Sequence, residues 1–269
     1  YGGIEDMVVG CEAVFPNGDV ARIKNVPRRA AGPDIRHIVI GNEGALCYIT
    51  EVTVKLFPYT PENHRFMGWT LKTMSVGFEA LREVMVAGFR PSVARLYDYE
   101  DGQLHFSHFA KPDECILLFL AEGNAGITEA TEKGITEIVS KYGECVPVDS
   151  KLVEEWFYDL VWGPDKVTRE DERIRTTRNV NRTTEISADW SSIGKIYDAV
   201  IPRIRAEING ITLLGGHSSH SYINGTNMYF NYFFDLLDTA PENENDELYF
   251  PIIKIIVEET LRFGGSIVH

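Results

Sequence analysis

Apolar and polar positions alternate along residues 4–15 around Val8, Val9, Ala13 and Val14, and the run stops at Pro16-Asn17-Gly18. Val20 to Ile23 resumes it, so the chain opens with a predicted β-hairpin. Residues 34–41 read as a short helix, with Asp34 as cap and Ile35, Ile38 and Val39 facing inward. Ala45 to Leu56 is rich in β-formers and ends before Pro58. From about residue 58 the character changes. The pattern predicts strands over 65–71, 93–97 and 105–109, and a strongly apolar strand over 115–122. Ser75 can cap a helix that carries Phe78, Leu81 and Val84 on one face and ends near Gly88. A second helix spans 128–142 through Ile135, Ile138 and Val139, with Gly143 as its stop. A third spans 191–208 on Ile193, Ile196, Tyr197, Val200, Ile201 and Ile204, where Pro202 should kink or break it. An aromatic strand over 227–234, a polar loop over 240–247 and a helix over 249–263 complete the chain. This alternation predicts an antiparallel sheet carrying helices on one face, an α+β domain.

Composition narrows the function classes. A net charge of −14 repels phosphate backbones, which argues against nucleic-acid binding. The basic stretches are short: Pro27-Arg28-Arg29, and Arg169 to Arg182, where Arg is mixed with Asp and Glu. Cys11, Cys47, Cys115 and Cys145 are far apart and form no CxxC pair, so reduced thiols in a cytoplasmic protein are expected. No apolar run approaches a membrane span, so no integral membrane segment is expected. No metal site is expected. His105 and His108 have i, i+3 spacing, but in a strand they would point to opposite faces.

Two stretches carry a resemblance. Ile4-Glu5-Asp6-Met7-Val8-Val9 is followed by Pro16-Asn17-Gly18 and then by Gly41-Asn42-Glu43-Gly44-Ala45-Leu46-Cys47-Tyr48-Ile49-Thr50-Glu51. Over residues 1 to about 57 this resembles the end of the PCMH-type FAD-binding domain of vanillyl-alcohol-oxidase-type flavoproteins. There an "IEDMV" strand precedes "P(D/N)G" and "GxEGxLGxITE". Without the family, a Gly-x-Glu-Gly before a strand is only a turn. With it, Glu43, Gly44, Ala45, Leu46, Cys47, Tyr48 and Ile49 are expected at the cofactor, FAD. Small residues there would let backbone N–H groups approach a pyrophosphate. The family usually has Gly where this chain has Cys47. If the position needs a positive φ or close approach, Cys is the poorer fit.

The second stretch is Ser219-His220-Ser221-Tyr222-Ile223-Asn224-Gly225-Thr226-Asn227-Met228-Tyr229-Phe230-Asn231-Tyr232. It resembles the "YxxGxxxYFxF" strand of the subgroup containing alkyldihydroxyacetonephosphate synthase. The resemblance gives Tyr229 the active-site role, since a phenol can donate to a substrate oxygen or act as acid or base. The plain alternative is a core aromatic strand, which suits Phe230 and Phe234. His220 is the histidine beside this strand expected to face substrate, ahead of His217. Gly264-Gly265-Ser266-Ile267-Val268-His269 resembles the start of the subgroup's "GGSxSHHHG" motif, which makes His269 a candidate for handling a hydroxyl proton. The start of a C-terminal tag is its plain alternative. Arg95, in Pro91-Ser92-Val93-Ala94-Arg95-Leu96-Tyr97-Asp98, resembles the Arg of "PxxxRLxD"; it could hold an anionic group, or else pair with Asp98 or Glu100. A further anion-binding Arg should precede Thr183-Thr184-Glu185-Ile186-Ser187-Ala188-Asp189-Trp190, and Arg173 is the choice among Arg169, Arg173, Arg175, Arg178 and Arg182. A solvated mixed-charge helix is the alternative there.

The resemblance implies a ferredoxin-like α+β substrate or cap domain over 58–269, following the end of an FAD-binding domain over 1–57. It also implies an internal portion of a longer flavoprotein, opening in one motif and stopping in another. The expected activity is FAD-dependent oxidation of a small hydroxylated substrate, a 2-hydroxy acid or a sugar- or polyol-derived alcohol, by hydride transfer to flavin. A homodimer is compatible with it. Two alternatives stay open. One is a flavin-dependent transferase of the alkyldihydroxyacetonephosphate synthase kind, ranked lower because no basic amphipathic helix suggests membrane contact. The other is a binding protein that has lost flavin.

Overall fold

The computed structural model describes residues 2–26, 31–160, 163–236 and 239–268. Pro27-Arg28-Arg29 and His269 lie outside the described residues. The chain divides into two compact units, 1–60 and 61–269.

In the first unit, a helical turn α1 (Ile4–Met7) leads into β1 (Val8–Val14), which pairs antiparallel with β2 (Val20–Ile23) across the Pro-Asn-Gly turn. The short helix α2 (Arg36–Val39) precedes β3 (Tyr48–Val54), which closes the three-stranded order β2-β1-β3. The alternation over 4–15 predicts strand from its first residue. The structure instead turns helical over Ile4–Met7, where Asp6 N–H donates to Gly3. Cys11, Ala13, Ile23, Val39 and Cys47 form the small core of this unit.

The second unit is built on one antiparallel sheet. Its elements in chain order are β4 (Arg65–Leu71), α3 (Met74–Val86), β5 (Val93–Tyr97), α4 (Tyr99–Phe106), β6 (Cys115–Ala121), α5 (Ala125–Val139) and β7 (Val146–Pro147). Then come α6 (Ser150–Asp159), α7 (Pro164–Thr177), β8 (Asn179–Asp189), α8 (Ile193–Glu207), β9 (Ile211–Ser218), β10 (Gly225–Asp235), α9 (Phe250–Arg262) and β11 (Ser266–Ile267). The strand order is β11-β8-β10-β9-β5-β6-β4-β7. The α+β class expected from the pattern is the class observed.

Strand β10 shows how the sheet separates its faces. Met228, Phe230, Tyr232 and Phe234 are buried in the main core, which α3, α5, α8 and α9 close. Alternation turns Asn227, Tyr229 and Asn231 to the other face. Burying each large apolar side chain contributes about 1.5–3 kcal/mol, which is what fixes this register. Strand β6 is buried along its whole length because α4 and α6 cover its second face through Phe106, Val153 and Trp156. Hence its continuous apolar run. Helix α4 also lies against β9, while on the same face of β10 Tyr229 and Asn231 stay half-buried.

Three local expectations change. Thr73, rather than Ser75, caps α3 by accepting from Val76 N–H. Residues 240–247 are not plain loop: a 3-10 turn at Pro241–Asn243 and a π-helical turn at Asn245–Tyr249 lead into α9. Helix α8 runs unbroken through Pro202, because Ile193, Ile196, Val200 and Ile204 bury its inner face and offset the lost hydrogen bond. A fourth change alters the site. Residues 105–109 are not a strand. Asp98 caps a helix instead, and His105 and Phe106 fall within α4.

Candidate functional site

Asp98 follows β5 and accepts from Asp101 N–H at 2.8 Å, which starts α4. Acidic residues in the first turn then complement the helix N-terminus. This places Asp101 and His105, one helical turn apart, on the same side of α4. Helix α4 can lie close because Gly215 of β9 has no side chain. A Cβ there would come within 2.6 Å of Asp101 N and 2.7 Å of Asp98 Oδ1.

Under α4, the face of β9, β10 and β5 brings three rings into a row. His217 stacks on Tyr97 (centroids 5.0 Å apart, 28°) and on Tyr229 (5.1 Å, 22°). The register causes this, since His217 is the partner of both Tyr229 and Tyr97. His217 Nδ1 lies 2.5 Å from Asp101 Oδ2, and Asn231 Nδ2 donates to Asp101 Oδ1 at 3.0 Å. Asp101 is wholly buried. Burial pushes its carboxyl up, but the hydrogen bond and charge of His217 and the amide of Asn231 outweigh that and hold it below the ordinary value. Partial desolvation by its neighbours lowers the His105 imidazole, which sits edge-on to Tyr97.

On the other side of Tyr229 stands Glu185 of β8, its register partner. Glu185 accepts from Asn227 Nδ2 at 2.7 Å, and His220 Nδ1 lies 3.4 Å away. Burial first, and then the Glu185 carboxylate, push the Tyr229 phenol up to about 12. Tyr229 is therefore a hydrogen-bond donor at neutral pH and holds its proton. His220 is edge-on to Tyr229 at 6.0 Å, and its side chain is 54% exposed, at the rim of the cluster.

Arg95 reaches this face from β5. Its guanidinium donates to Tyr97 Oη at 3.0 Å and sits over the Trp156 ring at 5.7 Å. Neither carboxylate weighed as its partner takes it: Asp98 accepts from Tyr197 Oη and Gly216 N–H, while Glu100 pairs with Arg205. Among the described residues, no carboxylate lies within ion-pair distance of Arg95. Arg173 differs. It lies on α7, pairs with Glu170 at 2.6 Å, donates to Asn179 Oδ1 at 3.1 Å and covers the Phe233 ring. Among the described residues no hydrogen bond, ion pair or ring contact joins it to the ring row.

The structure thus brings together Arg95, Tyr229 and, at the rim, His220. It adds Asp101, His105, Glu185 and His217, which sequence reasoning left out or ranked lower. The one available signal was the Asp98 cap with acidic residues after it, which would have made 99–106 a helix.

Glu43 to Cys47 lie in the first unit between α2 and β3, and Tyr48 and Ile49 open β3. Gly41, Glu43 and Gly44 take left-handed backbone (φ 75°, 48° and 78°), and, chain neighbours aside, no atom lies within 4 Å of the Cβ position of Gly44. A ligand backbone contact at Gly44 is therefore open. Cys47 has no left-handed φ, and its side chain is buried beside Cys11 and Ala13, so a thiol is tolerated where the family has Gly. Asn42 is the residue sequence reading passed over. Its Oδ1 accepts from Leu46 and Cys47 N–H at 3.2 Å, and its own carbonyl from Ala45 N–H at 2.8 Å. Those three N–H groups are thus used within the turn, while Leu46 and Tyr48 present exposed side chains. The turn fits a cofactor approaching at Glu43 and Gly44.

Residues 60–269 match the family described as FAD linked oxidases, C-terminal domain. The chain belongs to this FAD-linked oxidase family. An uncharacterized FAD-linked oxidoreductase of Escherichia coli K12, YgcU, is 61% identical over 272 residues, covering all of this chain and 56% of that protein. Glycolate oxidase subunit GlcD of Bacillus subtilis is 28% identical over 166 residues, 60% of this chain and 35% of that protein. Mitochondrial D-lactate dehydrogenase (cytochrome) of Arabidopsis thaliana is 28% identical over 53% of this chain and 25% of its own. The solved structure of an alkyldihydroxyacetonephosphate synthase shares the fold (TM-score 0.72, 23% identity, all of this chain and 51% of that one). The chain spans about half the length of YgcU and of the synthase. FAD is the cofactor of the FAD-linked oxidase family. Among the described residues no helix is long and apolar enough to cross a membrane, and no cluster of metal-ligating side chains occurs.

The site also shapes stability. Burial pushes the Asp98 carboxyl up to about 7, even though Asp101 N–H, Tyr197 Oη and Gly216 N–H all favour its ionised form. The native state therefore holds a proton that the unfolded chain releases near pH 4. The stability Asp98 contributes is complete at low pH and is lost as pH rises to about 7. The loss is at most about 4 kcal/mol. Urea unfolding between pH 4 and 8 should show a downward component that Asp98→Asn removes. Asn keeps the helix cap but cannot ionise.

Proposed function

We propose that this chain is the substrate-binding part of an FAD-dependent oxidoreductase that oxidises a small 2-hydroxy acid to the 2-oxo acid. The observation that carries this reading is Arg95, a guanidinium without a carboxylate partner among the described residues, on the same face as Tyr229 and His217. A planar fork of donors suits a carboxylate. Glycolate and D-lactate, the compounds for which two relatives are named, both carry a carboxylate beside the carbinol carbon.

FAD, when bound, supplies the hydride acceptor. The residues of this chain do the rest. Arg95 holds the carboxylate against Trp156 and Tyr97. Tyr229 donates a hydrogen bond to a substrate oxygen. The hydroxyl proton goes to an imidazole, for which the resemblance offers His269, with His220 at the rim as a polar contact. Glu43 and Gly44, with Ala45 to Ile49 shaping the turn, would hold the cofactor in the first unit. Arg95 replaces Arg173 as the preferred anion anchor, because Arg173 is already engaged by Glu170.

The test is the full-length protein, purified with its flavin and mixed without oxygen with glycolate, D-lactate, longer 2-hydroxy acids and uncharged polyols. Bleaching of the flavin by a hydroxy acid, with a 2-oxo acid as product, is the expected result. Acyl-for-alkyl exchange with no net oxidant consumed would establish the transferase alternative instead. A colourless protein that takes up no FAD would leave only a binding role.

A further inference from the structure

We infer that His217, oriented by Asp101 and Asn231, accepts the hydroxyl proton of the substrate, an assignment that rests on the hydroxy-acid reading above. A carboxylate only accepts hydrogen bonds, so the Nδ1–Asp101 contact places the ring hydrogen on Nδ1 and leaves a lone pair on Nε2. Among the described residues no hydrogen-bond partner lies on Nε2. The second Asp101 oxygen is taken by Asn231, so the carboxylate is anchored at both ends. Tyr97 and Tyr229 stack on the two faces of the imidazole and prevent rotation, and the side chain is 17% exposed, so it meets the open face edge-on. An orienting acid, a fixed tautomer and a free nitrogen are the parts a general base needs.

The other candidates on this face are spoken for. Tyr229 is a donor, Glu185 is engaged by Asn227, and His105, an exposed side chain of α4, has among the described residues no hydrogen-bonded carboxylate to orient its ring. In the step itself, the substrate O–H bond breaks and its proton joins Nε2, giving an imidazolium beside the Asp101 carboxylate. The O–H electron pair becomes the second bond of the new carbonyl as the carbinol hydrogen departs with its own pair. The cofactor of the family is the oxidant.

A pair that merely fastened α4 to the sheet would look similar, so the test needs readouts that fastening does not move. The groups facing His217 are Asp101 and His105 from α4, Tyr97 and Arg95 from β5, and Tyr229 from β10 with Glu185 beyond it. Asp98, at the start of α4, bonds to the neighbouring Gly216 N–H.

The full-length, flavin-loaded protein is mixed anaerobically with whichever of glycolate and D-lactate reduces it faster, across a range of pH. In the wild type, the reduction rate should rise along one proton-dependent limb. His217→Gln should lower the rate constant about 100-fold or more, abolish that limb, and leave flavin content and substrate Kd within about threefold. Asp101→Asn should lower the rate about tenfold or more and move the limb to lower pH, since the imidazolium loses its carboxylate. Nitrogen NMR of the imidazoles should show His217 as the Nδ1–H tautomer in the wild type and not in Asp101→Asn. A His217→Gln protein that keeps the limb, or a His269→Gln protein that alone loses it, would overturn the assignment. So would an Nε2–H tautomer in the wild type, a reading that stands even if a variant fails to fold. A wild type reduced by no hydroxy acid would instead bring down the functional reading, and this base with it.

Discussion

Arg95→Met is expected to raise the KM for a 2-hydroxy acid about 100-fold while changing kcat less than about tenfold. The size follows from the bond being removed. A charge-assisted pair between a guanidinium and a carboxylate in a partly buried site contributes about 3 kcal/mol, and 1.4 kcal/mol is tenfold. The direction follows from its placement. Among the described residues Arg95 has no carboxylate partner to be orphaned when it is replaced, so the cost falls on the ligand rather than on the fold. Methionine keeps the unbranched apolar stem beside Trp156, which limits the packing loss. Lysine should recover part of the affinity as a point charge without the two-pronged geometry. The uncharged amide of the same hydroxy acid separates anchoring from general damage: the substitution should leave its KM within about twofold. Equal losses for acid and amide would sink the carboxylate-anchor role. Arg173→Met should shift either KM by less than about twofold, since Arg173 already sits in a pair with Glu170 at the protein surface.

What the chain disclosed in advance and what it withheld divide along physical lines. Strand β6 was legible because both its faces are buried, and seven consecutive residues say so. Helices α5, α8 and α9 were legible because each lays one apolar stripe on the sheet. Tyr229 was legible only through a resemblance. Its spacing from Gly225 matches a family strand, while alternation alone says no more than that it faces away from Met228 and Phe230. The His217–Asp101 pair was not legible. The two residues are 116 positions apart, and they meet only because β9 pairs with β5 at a single short stretch, with α4 folded across it. Reading 105–109 as a strand hid this, although the i, i+3 spacing of Phe106 and Phe109 suits a helical turn better than a period of two. The Asp98 cap decided the matter through one hydrogen bond that no apolar pattern encodes. Asn42 is a similar case. Its neighbours Gly41 and Gly44 draw the eye as turn residues, yet its side chain occupies the N–H groups of Leu46 and Cys47.

The same geometry makes Gly215→Ala a strongly damaging single methyl group at the site. The new Cβ would lie 2.6 Å from Asp101 N and 2.9 Å from Asp101 Cβ. The first is backbone at the start of a helix, so no side-chain rotation relieves the clash; α4 must move outward. Moving it stretches the Asp98–Gly216 and Asp101–His217 contacts together, because both span from α4 to β9. The stability cost should be about 1–3 kcal/mol, typical of overpacking against a fixed neighbour. The catalytic cost should be larger. A displacement of about 1 Å in a group that positions the chemistry can cost 100-fold in rate. The variant should therefore bind flavin and unfold cooperatively at a reduced urea midpoint, yet lose about 100-fold in flavin reduction by hydroxy acid. Flattening of its rate–pH limb, as in His217→Gln, would show that the loss runs through the imidazole. Gly194→Ala is the control. It lies on α8, on the opposite side of the sheet, and its Cβ would meet only Phe78 Cδ2 at 3.8 Å, an ordinary contact. It should leave both the midpoint and the rate nearly unchanged. If Gly215→Ala behaved like that control, α4 would be free to shift without consequence, and the close seating of α4 on β9 would have no part in the chemistry.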